Sequence, residues 1–136
     1  MLGDLIYEHK GKITNQRVLD SEGPKIEATV SANGSFRKSV EVTETVTYWS
    51  ILRPGGALYG EAQGLVMSKG NDEVATYTAQ GVGRFADPGG KIGYRGSVFY
   101  RTASTGKLAF LNNLVGVFEY EADKSGNTTA KTWEWK

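Results

Sequence analysis

Val40-Glu41-Val42-Thr43-Glu44-Thr45-Val46-Thr47-Tyr48-Trp49 alternates with a period of two. Successive side chains of an extended chain point to opposite faces, so this is the pattern of a strand with two unlike faces. One row holds Val40, Val42, Val46 and Tyr48, with Glu44 as its only carboxylate. The other holds Glu41, Thr43, Thr45, Thr47 and Trp49. The first row reads as inward and the threonine row as wet. A helix would repeat its apolar positions every three or four residues, and only Lys107 to Asn112 hints at that spacing.

Turn chemistry flanks this strand on both sides. Asn33-Gly34, Lys69-Gly70-Asn71-Asp72, Thr105-Gly106-Lys107 and Ser125-Gly126-Asn127 combine residues that accept positive φ or bond their own backbone. Pro54-Gly55-Gly56 and Pro88-Gly89-Gly90 use proline to preset one turn residue and glycine to supply the left-handed one, and Gly23-Pro24 marks a further break. The runs between are rich in Val, Thr, Tyr and Phe, which suit a pleated surface. They predict strands over residues 4–13, 15–22, 24–32, 35–52, 57–69, 72–86, 91–104, 114–122 and 128–135, with one helical turn near 107–112. Glu61-Ala62-Gln63-Gly64 resembles Thr78-Ala79-Gln80-Gly81, a weak repeat of one stave each. Long strands on short turns suit a sheet that closes on itself and so loses its edges. The prediction for residues 1–136 is one all-β domain, a closed antiparallel β-barrel of about eight strands with at most one short helical turn.

Turn length decides which faces join. Even-length loops at Pro54-Gly55, Gly70-Asn71 and Pro88-Gly89 put Tyr48 opposite Glu61, Glu61 opposite Gln80, and Gln80 opposite Ser97. That register draws a polar belt across four strands, continuous with Glu44. An unpaired buried carboxylate is costly, so such a belt marks candidate acid/base or ligand-orienting groups. The candidates are Glu44 and Glu61 for acid/base work. Tyr48, Gln63, Gln80, Arg95 and Phe99 are the candidates for holding a ligand, with Arg95 placed to neutralise a carboxylate. The competing reading makes the belt a structural salt bridge and amide ladder, with the small and aromatic opposite face in the core. A bulge in any strand would flip part of either assignment.

Composition removes several function classes. The chain has no cysteine, one histidine (His9) and a formal net charge of +1. Disulfide and thiolate chemistry are excluded, and so is any catalytic arrangement needing two imidazoles. No spacing of metal ligands is present, and no cofactor is expected. Near-neutral charge gives no field to attract nucleic acid or an anionic membrane. No apolar run is long enough for a membrane-spanning helix. Met1-Leu2-Gly3-Asp4 lacks a signal-peptide pattern, so the expected location is the cytoplasm. Gly81-Val82-Gly83 lies within a strand and lacks the third glycine and helix of a dinucleotide fingerprint. His9 has polar neighbours and reads as a surface residue.

The second half of the chain carries a resemblance. The strands Glu61 to Gly64 and Ala79 to Phe85, with the closing element Thr105 to Glu119, resemble the allene oxide cyclase and dirigent-like barrels and small uncharacterised bacterial barrels of that type. The closing element looks like that family's tight turn, helical turn and Gly-X-Phe-Glu strand. The resemblance spans roughly residues 40–135. It implies an eight-stranded, calycin-like barrel with a central cavity, often assembled as a dimer or trimer. It also implies either cofactor-independent cyclisation of an apolar substrate or steering of a coupling reaction. No catalytic constellation of the family maps onto this sequence residue by residue.

Three functions follow as expectations. The first is a small-molecule-binding barrel, a cyclase or isomerase acting on a small apolar molecule. The second is a carrier or sensor using the same cavity without turnover. The third is a structural oligomerisation module with a filled barrel.

Overall fold

The computed structural model describes residues 2–86 and 90–136. Eight strands follow one another: β1 (Leu2–Asp20), β2 (Lys25–Phe36), β3 (Val40–Leu52), β4 (Leu58–Ser68), β5 (Val74–Ala86), β6 (Lys91–Arg101), β7 (Val115–Ala122) and β8 (Asn127–Trp135). Each pairs antiparallel with the next, and β8 returns to β1 to close the barrel. The fold class is the one that the alternation predicts. Among the described residues the single helical piece is a 3-10 turn, Ala109–Leu111, inside the predicted 107–112.

Pairing fixes the shape. The hydrogen-bonded row from Phe85 runs through Ile92, Ala122, Thr128, Gly11, Ala32, Glu44 and Val66 and returns to Ala75. One circuit is thus a stagger of ten residues along β5, from Phe85 to Ala75. Stagger and tilt are linked in a closed sheet, so the strands slant and their ends are uneven. Beyond Ile13, β1 pairs with β2 alone, while β2 stays paired with β3 as far as Lys25.

Two sequence boundaries are corrected. The segments predicted as 4–13 and 15–22 form one strand, Leu2–Asp20, with register shifts between Ile13 and Asn15 and between Val18 and Asp20. Asn33-Gly34 is not a turn: both residues pair within β2, opposite Lys10 and His9. The chain reverses instead near Arg37 and Lys38, both at positive φ. Gly34 is small for a different reason, because a Cβ there would run into the ring of Tyr7.

A third correction moves the faces. The β3–β4 connection holds five residues, 53–57, and is closed by Arg53 N–H donating to Ala57 O at 2.7 Å. An odd connection shifts the pairing by one residue. Tyr48 lies opposite Ala62, and Trp49 lies opposite Glu61. A one-residue slip exchanges the faces of everything downstream. The expected pairs Glu61 with Gln80 and Gln80 with Ser97 do form, but on the outside of the barrel. The expected Pro88-Gly89 turn lies outside the described residues.

One end of the barrel is plugged. Leu108, Leu111 and Leu114 from the β6–β7 connection pack on Ile6, Phe36, Val42 and Val66. Full burial of each such side chain contributes about 1.5–3 kcal/mol. The Glu73 carboxylate fastens the plug by accepting from the N–H groups of Lys107 and Leu108, each at 2.8 Å, and from the Ser104 hydroxyl. These bonds, led by the one from Leu108, hold its carboxyl below the usual range. A second cluster, including Val30, Val46, Leu58, Tyr94 and Tyr120, fills the half toward the other end. Among the described residues no helix is long and apolar enough to cross a membrane.

Candidate functional site

The interior is a set of tyrosines laid over glycines. Tyr77 of β5 pairs with Gly64 of β4, and Tyr94 of β6 pairs with Gly83 of β5. A Cβ at Gly64 would sit inside the Tyr77 ring, and one at Gly83 would come within 2.6 Å of Tyr94. The missing side chains let each ring lie along the wall and reach beyond the neighbouring strand. Tyr94 thereby meets Ser50 of β3 at 2.7 Å. Tyr77 reaches Glu44 of β3 across Gly64, and Tyr7 of β1 reaches the same carboxylate across Gly34 of β2.

Glu44 is therefore approached from both sides. Its Oε1 accepts from the Tyr7 hydroxyl at 2.7 Å and its Oε2 from the Tyr77 hydroxyl. His9 Nδ1 stands 2.7 Å from Oε1. An ionised carboxylate only accepts, so Nδ1 carries the proton of that bond. His9 Nε2 faces Thr128 Oγ1 at 3.3 Å. Glu44 and His9 are 4% and 5% exposed, a carboxylate–imidazole pair out of reach of bulk water. Such a pair persists only when its remaining bonding capacity is met. Here it is met, and among the described residues no buried side-chain nitrogen or oxygen lacks a partner.

The electrostatics follow from this packing. Burial opposes ionisation of Glu44. The hydrogen bond and attraction of His9, with the bonds from Tyr77 and Tyr7, outweigh it and hold the carboxyl below its ordinary value. The tyrosines move the other way. Burial, then the charge of Glu44, pushes the Tyr7, Tyr77 and Tyr100 hydroxyls up. Burial, then Tyr48, does so for Tyr120. Each interior phenol is thus a donor that stays protonated.

A cavity of about 90 Å³ remains beside this cluster. Tyr7, His9, Glu44, Tyr48, Tyr77, Tyr94, Tyr100 and Tyr120 border it, with Val46, Val98 and Phe118. Its β4–β5 wall is built from Gly60, Ala62, Ala79 and Gly81, whose small size leaves the space open. The Tyr48 and Tyr120 hydroxyls meet at 3.1 Å on its border. Thr128 does not border it. The run Glu44, His9, Thr128 therefore orients the imidazole and presents no hydroxyl to a bound molecule.

Of the residues singled out in the sequence, the structure brings Glu44 and Tyr48 to this cavity. The segments holding Glu61 and Gln80 border it, but both side chains leave from the outer face, where they meet the Tyr59 hydroxyl at 2.7 and 2.9 Å. Gln63 and Phe99 also point outward. Arg95 neutralises no interior carboxylate: it is 85% exposed and faces Glu119 at 3.9 Å. The expectation for His9 is overturned as well, since it is buried against Glu44. Tyr77, Tyr94 and Tyr100 were missed because of the one-residue slip at the β3–β4 turn, and Tyr7 and His9, upstream of it, because their place depends on how β1 pairs with β2 and β2 with β3. The pairs Gly64–Tyr77 and Gly83–Tyr94 were the signal available, a glycine opposite an aromatic residue on one face. Among the described residues no group of three or more His, Asp or Glu side chains is placed to hold a metal ion.

The fold and site define a small closed barrel with a buried carboxylate–imidazole–phenol cluster beside an apolar cavity. No protein-family model and no curated protein matches the chain. Solved structures match it closely in fold. A protein with unknown function from Clostridium acetobutylicum ATCC 824 superposes with a TM-score of 0.80 at 12% identity, over 98% of each chain. A β-barrel-like protein from Acinetobacter baumannii AYE gives 0.78 at 12% identity, over 100% of this chain and 96% of that one. A conserved protein of unknown function from Rhodopseudomonas palustris gives 0.76 at 12% identity, over 98% and 97%. These likenesses show a shared fold.

Proposed function

We propose that the protein binds a small apolar molecule in the tyrosine-lined interior beside Glu44. The observation that carries this reading is a cavity left open by four small residues, Gly60, Ala62, Ala79 and Gly81, next to a polar cluster whose buried side-chain nitrogens and oxygens all have hydrogen-bond partners. A filled structural barrel gains nothing from such a gap, because a void forfeits packing. The volume of about 90 Å³ lies well below the few hundred Å³ typical of small-molecule sites. This space alone takes a body no larger than a small ring.

The finer reading is a cofactor-independent isomerase or cyclase of the allene oxide cyclase and dirigent-like type. One observation favours it: the Glu44 carboxylate and the Tyr7 and Tyr77 hydroxyls place a base and two proton donors on one border of the cavity. Confinement against them would remove part of the entropic barrier. A carrier would use the same cavity without proton transfer. Oligomerisation, as a dimer or trimer, belongs to this reading too.

Native mass spectrometry of the freshly purified protein tests the proposal, followed by 19F NMR titration with fluorobenzene. A retained mass, or saturable fluorobenzene binding lost on filling the gap with Ala79→Leu, is expected. An empty chain that ignores fluorobenzene would leave the structural-module reading. Turnover of an identified ligand, abolished in Glu44→Gln with binding intact, separates enzyme from carrier.

A further inference from the structure

Four exposed apolar side chains share one end of the barrel. Val18, Ile26, Leu52 and Phe85 are 64%, 39%, 44% and 58% exposed. All four sit at the unplugged end, and register places each on the inner face. Ile26 continues the inward row of Ala28 and Val30, and Val18 pairs with Ile26. Leu52 continues the row of Tyr48 and Ser50, and Phe85 that of Gly81 and Gly83, opposite Ile92. They are exposed although they face inward, because the staggered strand ends rise above the packed part of the barrel. Below them lie Leu58, Tyr94 and Tyr120, and the last two also border the cavity.

We propose that this apolar mouth is the outer half of the ligand site and holds the hydrocarbon chain of an elongated, uncharged molecule whose other end enters the cavity past Tyr94. The inference rests on the reading of the interior as a ligand site, and it names the ligand class. Three observations select that occupant. Register puts the four side chains on the inner face, in line with the barrel lining rather than on a flat outer face. The interior cavity alone is too small for a ligand of ordinary size. Among the described residues every buried side-chain nitrogen and oxygen already has a partner, and Glu44, the interior carboxylate, accepts from Tyr7, Tyr77 and His9. A polar head group entering the barrel would compete with these bonds. A hydrocarbon displaces none.

The test uses two probes on the intact protein, in vesicle-free buffer. Diphenylhexatriene is an uncharged apolar rod that fluoresces only out of water, and fluorobenzene reports the cavity alone. The expected result is one diphenylhexatriene per chain, bound about tenfold or more weakly by Leu52→Ser/Phe85→Ser. Fluorobenzene binding and the urea midpoint stay as in the wild type. Val18→Ser, on the part of β1 that pairs with β2 alone, is the second variant should the first fail to fold. If fluorobenzene binds but diphenylhexatriene does not, or binds the variants equally well, the mouth proposal is overturned and the interior site stands. If neither binds, both readings fall. Light scattering that shows a dimer made monomeric by these substitutions, without probe binding, would assign the mouth to a second copy and overturn the proposal.

Discussion

The Tyr77 hydroxyl reaches the Glu44 carboxylate across an intervening strand, and Gly64 is what lets it pass. Tyr7 does the same from the other side, across Gly34. The buried charge is thus held by donors from strands on both sides of its own. Sequence, packing and electrostatics meet in this arrangement: the glycines make room, the rings fill it, and their hydroxyls make the ionised carboxylate tolerable.

Gly64→Ala is the direct check on this packing. The added methyl overlaps the Tyr77 ring, so the ring must tilt away and give up its bond to Glu44. Overpacking of this kind costs about 1–3 kcal/mol, and the loosened hydrogen bond adds to it. Urea denaturation measures the loss. Gly93→Ala is the control, because a Cβ there meets nothing within 4 Å. Its stability stays within about 0.5 kcal/mol of the wild type. Equal effects from the two substitutions would show that Tyr77 does not occupy the space over Gly64.

Glu44→Gln keeps the shape and removes the charge. One amide oxygen then replaces two carboxylate oxygens facing Tyr7, Tyr77 and His9, so about 3 kcal/mol of stability is lost near neutral pH. The acid limb of the stability profile changes as well. The folded-state carboxyl lies below its ordinary value of 4.5, so the unfolded chain binds the proton more readily. The stabilisation from Glu44 is complete above that value and is lost as the pH falls through the folded one. The wild type weakens below about pH 4.5, whereas the variant has a shallower slope there. Parallel acid limbs from urea midpoints over this range would mean that Glu44 is not held ionised by its neighbours.

The fold was legible because β3 alternates cleanly and turn residues punctuate the chain. Glu44 was legible for the same reason, as a lone carboxylate in an apolar row. The rest of the site was hidden by loop parity. Pro54-Gly55 reads as the centre of a two-residue turn, but Arg53 and Ala57 close a five-residue connection around it. That single residue sent Glu61, Gln63, Gln80, Arg95 and Phe99 to the outer surface and brought Tyr77, Tyr94 and Tyr100 inside. Asn33-Gly34 misled differently. Its glycine serves the Tyr7 ring, and a sequence does not reveal whether a glycine is needed for backbone freedom or for space. The role of His9 depends on the pairing of β1 with β2 and of β2 with β3, which no local pattern encodes.

The outward residues carry a prediction of their own. Gln63→Ala and Arg95→Ala remove side chains that face solvent, and the ion pair of Arg95 with Glu119 is long and exposed. Such pairs contribute about 0–1 kcal/mol. Both variants keep wild-type fluorobenzene affinity by 19F NMR and urea midpoints close to the wild type. A large drop in affinity from either would place its side chain in the ligand site after all.

Alkaline titration reads the tyrosines directly. All seven have hydroxyls shifted above the ordinary value of 10.0, for two different reasons. For the six interior residues burial leads. For Tyr59, on the outer face, the hydrogen bond to Glu61 leads. A group with a raised folded-state value contributes stability that is complete below its unfolded value and is lost as the pH rises toward the folded one. The barrel therefore holds its stability up to about pH 10 and weakens beyond it, where the unfolded chain releases phenolic protons that the folded chain retains. Near-ultraviolet absorbance stays low past that point, then rises in one step together with loss of the β-sheet circular dichroism. Glu61→Gln separates the two causes. It removes the partner that holds the Tyr59 proton, so one tyrosinate appears early while the sheet is intact and the other six still wait for unfolding. Several tyrosinates forming early in the folded wild type would mean that solvent already reaches the rings beside Glu44.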